Sequence, residues 1–113
     1  MFGLSILFYD KRIPMSIDFS EFDESAVTIL KQLATHFPKA TEVGFNDLFP
    51  EFEDNNEKRS AHIGVLAFLR HENLIAHEIG SSSSFIITRT GLALFNQDIF
   101  KHLKSKLNDI VSV

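Results

Sequence analysis

Between Leu74 and Phe95 the hydrophobic period of the chain switches from helical to alternating and back, and this order constrains the fold more than any other stretch. Ile75 to Ile79 alternates apolar and polar residues. Gly80 with Ser81 to Ser84 supplies a flexible turn, and Phe85-Ile86-Ile87 returns as a second strand, which together predict a hairpin. Thr88 then has the position and chemistry of a helix cap before Arg89-Thr90-Gly91-Leu92. Leu92, Phe95, Ile99, Leu103, Leu107 and Ile110 recur at helical spacing, which predicts one long last helix running to about residue 110.

Upstream of the hairpin the pattern is helical. Ser20 or Asp23 can cap a first helix on which Val27, Leu30, Leu33, Ala34 and Phe37 recur, and Pro38 ends it. A short second helix, about two turns long, is expected near Gly44 and Asn46 with Phe45, Leu48, Phe49 and Phe52 as its apolar contacts; Pro50 limits it. Asp54 followed three residues later by Glu57 has the form of a capping box, so a third helix is expected from Glu57 to Asn73. Its apolar residues fall on two adjoining sides: Ala61, Val65, Phe68 and Leu69 on one, Ile63, Leu66, Ala67 and Leu74 on the other.

The expected class is therefore mostly α with a small β-hairpin. A chain of 113 residues, 44% of them hydrophobic, suits one domain with a real core. Residues 18–96 are expected to form it, with 1–17 as an amino-terminal segment and 97–113 as a helical extension. Phe2 to Tyr9 suits a strand and is far shorter than the roughly 20 residues of a membrane span. Asp10-Lys11-Arg12 follow this run instead of preceding it, which is the wrong order for a secretory signal. Met15 offers a second possible start, so residues 1–14 are either an added strand or subunit contact, or an upstream extension. The absence of cysteine excludes disulfides, thiolate metal sites and a cysteine nucleophile, and is compatible with a reducing cytoplasm.

The order of three helices, hairpin and helix resembles the winged-helix superfamily, including the MarR-like and PadR-like bacterial DNA-binding domains. The stretches that carry the likeness are Leu74 to Ile79, then Phe85 to Phe95 with its Ile-Thr-x-x-Gly helix start, in which the Thr caps and the Gly permits close packing. The resemblance spans about residues 20 to 96. It implies a winged helix-turn-helix fold and a DNA-binding transcriptional regulator, with the helix from Glu57 to Asn73 laid in the major groove. Lys58, Arg59, Ser60 and His62 would then face DNA, and Ser82 and Ser83 on the wing would touch its backbone or minor groove.

Charge argues the other way. Residues 1–56 hold 4 basic and 10 acidic side chains, whereas 57–113 hold 7 and 5. Glu51, Glu53, Asp54 and Glu57 crowd the start of the third helix, and the turn from Gly80 to Ser84 has no cation, although affinity for a polyanion needs several. The alternative is a winged-helix protein-interaction module or assembly subunit. Leu103, Leu107 and Ile110 extend past what a minimal winged helix needs, so they either form a homodimer interface or cover the first helix or the amino-terminal segment, while Leu92, Phe95 and Ile99 close the monomer core. Lys101, Lys104 and Lys106 suit the negative end of the helix dipole. Asp98 and His102 stand four apart, but neither they nor His36, His62, His71 and His77 make a metal motif. No nucleophile elbow or phosphate-cradling glycine loop is present, so neither an enzyme nor a cofactor is expected.

Overall fold

A computed structural model describes residues 16–111. The strand expected over Phe2 to Tyr9 lies outside the described residues. Helix α1 (Ser20–His36) is followed by a short strand β1 (Thr41–Glu42), a single-turn helix α2 (Phe45–Leu48) and a 3₁₀ turn (Pro50–Phe52). Then come α3 (Asn56–His71), β2 (Ile75–His77), β3 (Ser84–Ile87), α4 (Arg89–Ala93) and α5 (Ile99–Val111). The described chain is mostly helical, with one small antiparallel sheet in the order β1-β3-β2. None of its described helices is long and apolar enough to cross a membrane.

The hairpin forms as expected, with Ile75 opposite Ile87 and His77 opposite Phe85. Its first strand is shorter than the alternation suggested, because Ile79 points into solvent at 99% exposure. Strand β1 was not foreseen: two residues carry no periodicity, and they pair only because β3 offers its free edge to Thr41 and Glu42. Beyond that ladder, the Val43 amide donates to the Ser83 carbonyl at 3.0 Å.

Helix boundaries follow local chemistry. Asn55, rather than Asp54, caps α3: its side chain accepts from the Lys58 amide at 3.0 Å. Asn73 ends the helix in the left-handed region at φ 62°, and the Leu74 amide bonds back to the Leu69 carbonyl at 2.9 Å. Asn96 does the same to α4 at φ 60°, with the Gln97 amide on the Leu92 carbonyl. Asp98 then opens α5 by accepting from the Lys101 amide at 3.0 Å. The single long last helix is thus corrected to two, separated by an asparagine stop and an aspartate start.

The core joins α1, α3, the hairpin and α4 with Val43 between β1 and α2, and Leu48 of α2 and Ile99 of α5 pack against it. Ile29 and Leu33 from α1, Val43, Leu69 from α3, and Ile75 and Ile87 from the hairpin are each at most 2% exposed. On α1 the buried stripe is Ala26, Ile29 and Leu33, rotated from the expected one, so Val27 faces solvent. On α3 it is His62, Val65 and Leu69. Of the second apolar side expected there, Ile63 and Ala67 are exposed while Leu66 and Leu74 are half-buried against the core, and Phe68 from the first expected side is exposed.

Thr88 accepts from the Gly91 amide at 3.1 Å and donates its hydroxyl to the Asn73 carbonyl, locking α4 against the end of α3. A Cβ on Gly91 would stand 2.3 Å from the Leu74 carbonyl oxygen and 2.6 Å from Ile87 Cγ1. Gly91→Ala should therefore lower the urea midpoint by an amount equivalent to about 1–3 kcal/mol with the m-value unchanged. Gly64→Ala, on the exposed face of α3 with nothing within 4 Å of the new methyl, should instead raise stability by about 0.5–1 kcal/mol.

Candidate binding face between the third helix and the hairpin

His62 is 0% exposed, and this burial decides what α3 can present. Its Nε2 lies 2.8 Å from the Val43 carbonyl oxygen, which can only accept, so Nε2 carries the proton. Nδ1 then accepts from the Ser25 hydroxyl at 3.1 Å. The rings of Phe45 and Phe49 pack around the imidazole at 5.7 and 5.6 Å. Desolvation holds the pKa below 6.5, against smaller opposing effects of the Val43 hydrogen bond and the Asp47 charge. A neutral side chain with both nitrogens committed cannot reach a base edge, which corrects the expectation for His62.

The two cations of the first turn of α3 are also engaged. Lys58 folds back to form an ion pair with Glu24 of α1, and its ammonium lies over the rings of Phe49 and Phe52 at 5.5 and 5.0 Å. The Arg59 guanidinium donates to the Glu53 carbonyl at 2.6 Å and covers the Phe45 ring at 4.9 Å. Both side chains are half-buried. They are the lid of the α2 region rather than outward-pointing contacts. Around them Glu51, Glu53, Asp54 and Glu57 are all exposed, so the start of α3 presents carboxylates to solvent.

At the hairpin tip the serines mostly serve the chain itself. The Ser81 hydroxyl accepts from the Ser84 amide at 3.1 Å, and the Ser83 hydroxyl donates to Glu42 Oε1 at 2.7 Å, fastening the tip to β1. Of the six expected DNA contacts, Ser60 and Ser82 are exposed. Lys58, Arg59, His62 and Ser83 are held by internal partners.

What the fold does assemble is an open groove of about 320 Å³ between α3 and the hairpin, lined by Ile63, Leu66, Ala67, Arg70, His77, Ser82, Ser83 and Phe85. Ile63 is 58% exposed on its rim. The His77 imidazole stacks flat on Phe85 at 4.4 Å, and its Nε2 is buried without a hydrogen-bond partner among the described residues. This pairing has no signal in the sequence; only the hairpin register puts the two rings side by side. Asp98, considered with His102 as a seed for a metal site, is occupied as the cap of α5. The exposed stripe of Leu103, Leu107 and Ile110 lies on α5, away from the groove.

Compared with known proteins, the chain matches no family model, no curated sequence and no solved structure.

Because the unfolded chain protonates His62 near pH 6.5 while the folded one resists it, stability is full above that pH and falls as the pH drops below it. Denaturation at pH 7.5 and 5.5 should show this loss, and His62→Gln, which keeps a donor and has no titration, should shrink it. His62→Ala should cost about 2–4 kcal/mol at neutral pH, since it opens a cavity and orphans the Val43 carbonyl.

Proposed function

We propose that the chain is a winged-helix domain that works as a protein-interaction module, receiving a partner segment in the groove between α3 and the hairpin. The order of elements supports the fold assignment: a helical trio, a hairpin beginning four residues after α3, and a helix opened by Thr88. The observation that carries the functional reading is the fate of the cations on α3. Lys58 and Arg59 are tied to Glu24 and Glu53, four carboxylates ring the helix start, and the surface between helix and hairpin is apolar. Such a face attracts an apolar side chain of a protein and repels a phosphate backbone.

Ile63 and Ala67 would hold the anchor over the buried Phe85 ring, and the Ser82 hydroxyl would meet the polar backbone beside it. Arg70, exposed on the groove's edge, favours an acidic residue flanking that anchor.

The element order also supports a second reading, DNA binding with transcriptional control, in which Ser60, Arg70 and Ser82 would carry the contacts. The two separate cleanly in solution. A displayed peptide library should yield binders with an apolar anchor, and Ala67→Glu should weaken them about tenfold or more. Mixed duplex DNA should show no saturable binding at low salt. Binding to it that weakens as salt rises, lost in Arg70→Ala, would replace the interaction module with the DNA reading.

A further inference from the structure

Helix α5 carries a surface that the groove does not use. Its 13 residues are about the length at which an isolated helix is marginal in water, so it gains from cover. Its first turn is braced by the body: Ile99 packs against the core, and the Arg89 guanidinium lies 3.9 Å over the Phe100 ring. Phe100, Leu103, Leu107 and Ile110 are all large, apolar and exposed, from 49% at Leu103 to 71% at Ile110. Their spacing of three, four and three residues is that of a helix seam. Lys101, Lys104 and Lys106 flank the seam, with Asp109 the one carboxylate between Ile99 and Val111.

A patch of matching chemistry sits elsewhere on the chain. Phe19, Phe22 and Phe68 form an edge-to-face ladder with ring centroids 6.2 and 5.6 Å apart, and Phe19 and Phe68 are about half exposed. Asp18, Glu21 and Asp23 beside the first two rings and Glu72 beyond the third are all exposed. One surface is apolar with a basic rim, the other aromatic with an acidic rim.

We propose that these two surfaces meet between copies of the chain: the α5 stripe of one protomer seats on the Phe19–Phe22–Phe68 patch of its partner, and the reverse contact closes a twofold homodimer. Within one chain they do not meet. The base of α5 lies beside the carboxy-terminal end of α1, where Asp98, Ile99 and His102 share a groove with Ala34 and Phe37, whereas Phe19 precedes the other end. Two α5 helices facing each other would bring lysine-rich flanks together, while the patch supplies carboxylates. The net charge of −4 disfavours an anionic lipid surface as the occupant. Twofold symmetry uses the contact twice, which brings two modest patches toward the roughly 1,600 Å² of a stable interface. The inference is independent of the groove, since neither surface lines it.

Sedimentation of the full chain at about 100 µM should give a dimer that dissociates on dilution. Leu107→Glu should raise the dissociation constant about tenfold or more, and so should Phe19→Glu on the other surface. Both positions are exposed, so the circular dichroism of each variant should stay that of the parent. Lys104→Glu with Lys106→Glu should weaken the dimer, and adding Glu21→Lys with Asp23→Lys should restore part of it. A monomeric parent overturns the proposal. So does a dimer that Leu107→Glu breaks and Phe19→Glu leaves intact, which would mean α5 pairs with itself. A monomer that floats with phosphatidylserine vesicles through α5 assigns the helix to lipid instead.

Discussion

The hydrogen bond from His62 Nε2 to the Val43 carbonyl is the constraint on which the arrangement around α3 depends. Val43 lies where the chain leaves β1 for α2, so this bond fixes the crossing between sheet and helices. Ser25 on the opposite ring nitrogen extends the tie to α1. A buried polar group is tolerated only when satisfied, and satisfaction demands that three segments distant in sequence hold one geometry. The Phe45 and Phe49 rings exclude water from the bond and are themselves roofed by Arg59 and Lys58.

From that tie follows the face α3 presents. Turning His62 inward places Val65 and Leu69 on the core and leaves Ile63 and Ala67 outward, beside the hairpin. The same rotation sets Lys58 and Arg59 against the aromatic lid, where internal acceptors occupy them. A helix that looked basic at its start thus shows solvent an acidic rim and an apolar flank. The asymmetry recurs on α5, where the lysines stand free of the core and border an apolar stripe.

Elements with a local cause were legible. The hairpin announces itself by alternation around a Gly-Ser turn, Thr88 by its reach to the Gly91 amide, and α1 and α3 by helical spacing. The split of the last helix was encoded in Asn96 and Asp98, yet an apolar stripe running through both helices hid it. Strand β1 was hidden for a different reason: its pairing energy comes from β3, not from Thr41 and Glu42 themselves. Of the candidate site, the groove was not legible, because it consists of residues from α3 and from the hairpin that approach only after both have folded.

By itself the sequence determined α1 and α3, the hairpin, the acidic first half and the absence of cysteine chemistry, since each is a property of residue type or of spacing along one segment. Only the tertiary structure decided which side of α3 is buried, which cations remain available and where an apolar surface is left uncovered. Two adjoining sides of α3 were apolar enough to face the core. The side that did so was selected by a histidine whose two hydrogen-bond partners lie 37 and 19 residues away, at Ser25 and Val43, a requirement no local pattern can express.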